Sequence, residues 1–245
     1  MGSVIIIPAR YASTRFPGKV LAKIGGVPMI ERVVCQCLKT KADKVYVVTD
    51  DDRVQKALQH TGVSVVMSPA DISTGTDRVA FAAKDLADNI VINVQGDEPF
   101  IPPALIDKLI EQLATDSSLN MITACTKFDD EKDIDNTSHV KVVLDSNGYA
   151  LYFSRLPIPF CMGVVTAGRQ APVRYRHIGI YGFKKEFLLR FSAMPKTPLE
   201  SAEMLEQLRV LENGERIKVI ITEYKPISID TTEDLVNAEK YLRSV

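Results

Sequence analysis

The segment Pro8-Ala9-Arg10-Tyr11-Ala12-Ser13-Thr14-Arg15-Phe16-Pro17-Gly18-Lys19 places three cations, Arg10, Arg15 and Lys19, in one loop. Cationic side chains beside exposed backbone amides suit a polyanion, since both act on the same phosphate oxygens. A second loop, Val94-Gln95-Gly96-Asp97-Glu98-Pro99, offers Asp97. Its hard oxygen donors are of the kind that hold Mg²⁺ together with substrate phosphates. Asp97 could instead serve as a turn carboxylate or helix cap ahead of Pro102 and Pro103. Both loops follow apolar runs, so both emerge at one edge of a sheet. Two arginines, a lysine and a carboxylate at that edge match a nucleoside triphosphate with its magnesium.

Two further segments carry candidates. In Ser228-Ile229-Asp230-Thr231-Thr232, Asp230 either caps the terminal helix, the use its spacing favours, or joins Asp97 on a metal. Thr74-Gly75-Thr76-Asp77-Arg78 is a small-residue turn entering a helix; it either seats a nucleotide on its amides and hydroxyls or caps that helix.

The elements that position these residues follow from periodicity. Ser3–Ile7 and Ile90–Val94 are uninterrupted apolar, largely β-branched runs, as expected of strands buried on both faces. Lys44–Thr49 and Val63–Met67 read as strands, and Pro28–Leu38, Asp51–His60 and about Asp77–Leu86 as helices. Alternation of this kind predicts an α/β fold, a doubly wound, mainly parallel, Rossmann-like sheet with ligands at its carboxyl edge. The rhythm changes at Lys141–Leu144 and Tyr149–Phe153, which flank Asn147-Gly148, a hairpin signal that predicts an antiparallel insertion. Pro157, Pro159, Gly163 and Gly168 mark an irregular stretch before strand character resumes at Tyr175–Phe183. Helices at Lys184–Phe191 and Leu199–Asn213, a strand at Ile217–Thr222 and a terminal helix from about Thr232 complete the chain. Thr231 and Asp234 have capping-box spacing.

Composition narrows the function classes. The 245 residues suit one domain, 1–245, with an antiparallel excursion at about 141–183. A net charge of −1 argues against a general nucleic-acid binder, which needs a broad basic surface. No apolar run nears the roughly 20 residues of a membrane span, and no signal segment precedes the first strand, so a cytoplasmic protein without membrane partners is expected. Cys35, Cys37, Cys125 and Cys161 lack paired CxxC spacing, which argues against structural zinc. The first loop lacks GxGxxG, which argues against a redox dinucleotide fold.

The segments PARYASTRFPGK, TGTDR, NVQGDEP, KVVLDSNGYALYFSR, RHIGIYGF, PLESAEMLEQLRVLENG and IDTTEDL together resemble the 3-deoxy-manno-octulosonate cytidylyltransferases, or CMP-KDO synthetases, over essentially the whole chain. The resemblance implies a nucleotide-diphospho-sugar transferase fold. It implies transfer of CMP from CTP to KDO, an eight-carbon acidic sugar, with release of pyrophosphate, for lipopolysaccharide assembly. It implies that Arg10, Arg15 and Lys19 bind the triphosphate, with Ala9, Ser13, Thr74, Gly75 and Arg78 seating the nucleotide. Gln95 falls between nucleotide and sugar, Asp97 and Asp230 on magnesium, and Arg155, His177, Tyr181, Glu206 and Gln207 in the sugar pocket. The family usually has Ser where this chain has Thr74, which keeps the hydroxyl. A homodimer is also implied. Catalysis then falls to Arg10, Lys19 and Asp97 by charge and positioning, with no side chain marked as a general base. The rival readings are transfer to another acidic sugar, such as a sialic acid, and a noncatalytic nucleotide-binding module.

Overall fold

The computed structural model describes residues 2–12, 16–72, 74–161, 172–229 and 231–243. Ser13, Arg15, Gly163, Gly168 and Asp230 lie outside the described residues.

The buried runs become the centre of a sheet. Strand β1 (Ser3–Pro8) pairs in parallel with β4 (Lys44–Thr49) and with β6 (Ile90–Val94), and β5 (Ser64–Met67) extends the edge beyond β4. A two-strand ribbon, β2 (Lys23–Ile24) with β3 (Val27–Pro28), precedes helix α1 (Met29–Cys37). Helices α2 (Asp52–Leu58) and α3 (Gly75–Ala83) complete the first half. Alternate β1 residues feed opposite cores: Ile5 and Ile7 pack in the cluster that holds Val33, Val34 and Leu105, while Val4 and Ile6 pack with Val79, Phe183 and Phe187. That two-sided burial is why β1 reads as an unbroken apolar run.

Residues 103–115 and 121–127, unassigned from sequence, form helix α4 (Pro103–Thr115) and strand β7 (Met121–Lys127). The predicted hairpin is β8 (Lys141–Leu144) with β9 (Ala150–Ser154). Strand β10 (Tyr175–Lys184) is the one departure from a parallel core: it runs antiparallel between β6 and β7 and carries the hairpin through β8. Helix α5 (Lys185–Ser192) follows, and β11 (Ile217–Ile221) closes the sheet beside β7, giving the order β11-β7-β10-β6-β1-β4-β5. The mainly parallel, doubly wound reading holds, with an antiparallel strand at its centre.

The single helix expected over 199–213 is two: α6 (Pro198–Glu203) and α7 (Gln207–Glu212), broken where Met204 takes a left-handed φ of 54°. The break is held by a buried pair across the two helices. Arg209 Nε and Nη2 donate to Glu200 Oε2 and Oε1 at 2.7 and 2.5 Å. Helix α8 (Thr232–Leu242) starts on the expected capping box of Thr231 and Asp234.

Helix α4 lies on β10 because Gly182 has no side chain. A Cβ there would stand 2.8 Å from Ile122 Cγ2, 2.8 Å from Leu113 Cδ1 and 2.9 Å from Ile92 Cδ1. Gly182→Ala is therefore expected to cost about 1–3 kcal/mol through overpacking, read as a lower urea midpoint at unchanged slope; an unchanged midpoint would refute this packing.

Candidate active site

The two loops singled out above meet at the carboxyl ends of β1 and β6, as open α/β sheets dictate. Their approach depends on Gly96, where a Cβ would lie 3.0 Å from Pro8 O and 3.8 Å from Ala9 Cα. Ala9 is buried and donates to Val48 O at 2.9 Å, which pins the start of the cationic loop to β4. The loop closes through Gly18 N–H to Tyr11 O at 3.0 Å, and Arg53 stacks on the Tyr11 ring, 3.4 Å from its centroid. Arg10 is exposed on this loop. Lys19 turns inward, and its Nζ donates to Asp97 Oδ2 at 2.6 Å and to Ile229 O at 3.3 Å. The Ile229 N–H donates in turn to Asp97 O at 3.2 Å. Lys19, Asp97 and the residue preceding Asp230 thus form one node.

Thr74 caps α3, its hydroxyl accepting from Asp77 N–H at 3.0 Å. The cap sets Gly75 beside Gln95, with Gln95 Oε1 3.6 Å from the position of a Cβ. Arg78 lies beneath this turn, wholly buried. Its guanidinium donates to Ser68 Oγ, to Asp50 Oδ2 at 3.0 Å and to Ile72 O at 3.2 Å. It ties the ends of β4 and β5 to the loop before α3, and so shapes that turn through the backbone it holds.

From the node a cleft of about 380 Å³ runs along β10, lined by Gln95, Asp97, Arg176, His177, Tyr181 and Gln207 among others. His177 and Tyr181 flank an irregularity in the β10–β7 ladder, where pairing jumps from Ile178–Ala124 to Tyr181–Thr123. Thr123 fills it: its hydroxyl lies 2.7 Å from Ile180 O, to which it donates, and 2.9 Å from His177 Nε2, from which it then accepts. That network assigns the proton to Nε2 and leaves Nδ1 as an acceptor. Burial pushes the His177 pKa down to about 3, so the ring meets any ligand uncharged.

The His177 shift has a stability consequence with a definite sign. The folded value of about 3 lies below the ordinary 6.5, so the unfolded chain binds the extra proton between them and stability falls as pH drops through that window. About 2 kcal/mol is lost from this group between pH 7 and pH 5. Urea titrations of wild type and His177→Asn at both pH values should show a shallower decline in the variant; parallel declines would refute the assignment.

Tyr181 stacks obliquely on His177 at 5.4 Å between centroids, and burial, with the nearby Glu206 charge, pushes its hydroxyl pKa up, keeping it a neutral donor and acceptor. Burial also raises the Glu206 carboxyl, against a hydrogen bond from Thr76 that lowers it. Gln207 is buried, and its Nε2 has no hydrogen-bond partner within the protein, a donor ready for a ligand oxygen in the cleft it lines. Arg155 stands apart from these. Its Nε donates to Glu203 O at 2.7 Å, and its Nη1 and Nη2 to Thr137 O at 3.1 Å and Met204 O at 3.4 Å. It shapes the turn that presents Glu206 and Gln207. The cation on the cleft wall is Arg176, whose pKa burial lowers and the Glu98 charge raises.

Arg176 and Glu98 carry no marked role in the sequence, although each adjoins a residue that does. Glu98 is buried beside Asp97, and burial raises its pKa to about 7 against the hydrogen bond from Ser228. Among the described residues no group of three or more His, Cys, Asp or Glu side chains is arranged to hold a metal unaided. Asp97, already paired with a cation and edging the cleft, fits a divalent ion shared with ligand phosphates.

The profile of the cytidylyltransferase family matches residues 4–217. The chain is 43% identical to a 3-deoxy-manno-octulosonate cytidylyltransferase of Trichlorobacter lovleyi over 99% of both chains, and 48% identical to one of Geotalea uraniireducens over 94% of both. Its fold superposes on a CMP:2-keto-3-deoxy-manno-octonic acid synthetase complexed with CTP at a TM-score of 0.92, with 34% identity, covering 100% of this chain and 99% of that one. A 4-diphosphocytidyl-2C-methyl-D-erythritol synthase from Anaerococcus prevotii, at 18% identity and a TM-score of 0.64, shares the fold. With a family profile over most of the chain and relatives of this identity along its whole length, the chain belongs to the 3-deoxy-manno-octulosonate cytidylyltransferase family of nucleotidyltransferases.

Proposed function

We propose that this chain transfers CMP from CTP to KDO, releasing pyrophosphate and supplying CMP-KDO to lipopolysaccharide assembly in the cytoplasm, with residues 1–245 acting as one nucleotidyltransferase domain. The observation that carries the reading is the single cleft that starts at the Lys19–Asp97 node and ends at His177, Tyr181 and Gln207. Nucleotide phosphates at one end and an acidic, hydroxyl-rich sugar at the other then share one space.

In this reading Arg10, Arg15 and Lys19 neutralise the triphosphate, and Ala9, Ser13, Thr74 and Gly75 present backbone and hydroxyl groups to the nucleotide. Gln95, joined to Asn93 Oδ1 at 3.0 Å, stands where the two substrates meet. Gln207 donates to a sugar hydroxyl, His177 Nδ1 accepts from one, and Tyr181 and Glu206 complete the set. Arg176 is the cation facing the sugar carboxylate, while Arg155 acts through the turn it holds. Asp97 and Asp230 hold magnesium, which when bound supplies charge neutralisation on the phosphates. The sugar's anomeric hydroxyl oxygen attacks the α-phosphorus in line as pyrophosphate leaves, and holding both reactants in register can offset roughly 7–11 kcal/mol of barrier.

The hairpin excursion leaves Leu151, Leu156, Phe160 and Val173 exposed, Phe160 at 83%. These exposed apolar side chains support a homodimer built through the excursion. No helix of the described residues is long and apolar enough to cross a membrane.

The test is label transfer. With KDO and magnesium, α-³²P-labelled CTP should yield labelled sugar nucleotide, and γ-³²P-labelled CTP should yield labelled pyrophosphate. Label remaining in CTP through a full time course would defeat the reading.

A further inference from the structure

We infer that Glu98 is a positioning residue that fixes the 224–229 segment against the turn bearing Asp97. This rests on the reading of Asp97 as a carboxylate that holds the divalent cation.

The geometry is a bidentate clamp. Glu98 is 4% exposed, yet its carboxylate faces two hydroxyls of one distant segment. Ser228 Oγ donates to Oε1, and Tyr224 Oη donates to Oε2 at 3.3 Å. That segment has no helical or strand hydrogen bonds of its own to hold it. Its position is instead set by ties to the 97–98 turn and by the burial of Ile229 against Ile24, Met29 and Ala238. Next to the Ser228–Glu98 bond, Ile229 N–H donates to Asp97 O, and Ile229 O accepts from Lys19 Nζ. The turn that carries Glu98 is itself closed, by Glu98 N–H to Gln95 O and Ile101 N–H to Glu98 O, each at 3.2 Å. The Lys19–Asp97 pair is thus framed by the segment that Glu98 grips at Ser228. A carboxylate suits the task because it offers two acceptor oxygens to two donors four positions apart. An apolar side chain of the same size would fill the space and hold neither hydroxyl.

The consequence is read on the cation rather than on the nucleotide. Residues that orient metal ligands without touching the metal change affinity by about 10–100-fold. Glu98→Leu is therefore expected to weaken Mn²⁺ binding at least tenfold, measured by electron paramagnetic resonance with CTP present and no sugar. CTP binding in the absence of divalent ions should stay within twofold of wild type, and in kinetics the half-saturating magnesium concentration should rise while KM for CTP does not. Glu98→Gln should restore most of the affinity, because a hydroxyl can turn to accept from the new amide. Ser228→Ala, which leaves the buried Glu98 in place, should weaken Mn²⁺ binding in the same direction, so the idea remains testable if Glu98→Leu does not fold. The double variant should be no weaker than Glu98→Leu alone. A folded Glu98→Leu or Ser228→Ala with wild-type Mn²⁺ affinity overturns the positioning role while leaving the magnesium reading intact. Absence of CTP-dependent Mn²⁺ binding in the wild type removes the magnesium reading itself, and this inference with it.

Discussion

Asp97→Asn is expected to lower kcat/KM by about 10³-fold at saturating magnesium, the scale seen when a preorganised electrostatic group is removed from a reacting centre. The substitution keeps shape and one acceptor oxygen, so Lys19 Nζ retains a partner where it now sits 2.6 Å from Asp97 Oδ2. The backbone carbonyl of residue 97 still accepts from Ile229 N–H. What disappears is the negative charge, which in the proposed reading holds a divalent ion beside the triphosphate. Lys19 would also remain cationic with no carboxylate opposite, biasing the site toward anions but away from the geometry of transfer. Steady-state pyrophosphate release, alongside a thermal melt to show an intact fold, checks this. Turnover equal to wild type would show that the charge of Asp97 has no part in the chemistry.

Arg209→Met should produce the largest loss of stability, about 3–5 kcal/mol, because it strands Glu200 in the interior. Both side chains are almost fully buried, at 8% and 3% exposure, and are joined by two hydrogen bonds. Arg209 Nη1 further donates to Met194 O at 3.3 Å and Phe191 O at 3.4 Å, linking α7 to the end of α5. For a chain of this size the melting temperature should fall by about 10 °C or more. Pairing the change with Glu200→Leu should recover most of the loss, since replacing a whole buried ion pair by apolar groups costs far less than breaking it. Because the pair holds the bend from which Glu206 and Gln207 project, the remaining folded enzyme should show a raised KM for the sugar with KM for CTP little changed. A melting temperature within 2–3 °C of wild type would contradict the account.

How much of this was legible in the sequence depends on where each residue's partners lie. Strands β1 and β6 were readable because burial on both faces leaves an unbroken apolar run, and these two and β4 each ended within a residue of expectation. The helix over 199–213 was read as continuous because its periodicity is continuous. The break comes from outside it: Ser154 Oγ and Arg155 N–H, across the hairpin, donate to the Glu203 carboxylate at 2.7 and 2.9 Å, while Arg155 Nε holds Glu203 O. Nothing local announces that β10 will insert antiparallel between β6 and β7, since pairing order is a tertiary choice.

The same distinction divides the site. Asp97 and Lys19 were legible as neighbours because they follow strands whose carboxyl ends fix their location, whereas Gln95, in the same loop as Asp97, was singled out by resemblance. Arg78 and Arg155 were placed by resemblance in the nucleotide and sugar pockets. Their guanidinium groups bind Asp50, Ser68 and Ile72 in one case and Glu203, Met204 and Thr137 in the other, partners no spacing rule could supply. Glu98 went unmarked for the converse reason: its role depends on Ser228 and Tyr224, more than a hundred residues away.

The most direct test of the central claim is pyrophosphate release from CTP and magnesium with KDO, with a sialic acid, and with no sugar, run side by side. Release with KDO alone is the predicted result, since His177, Tyr181, Glu206 and Gln207 are taken to fit that acid. Release only with the sialic acid would keep cytidylyl transfer but overturn the sugar pocket, and CTP binding without release in any arm would contradict catalysis at this cleft altogether.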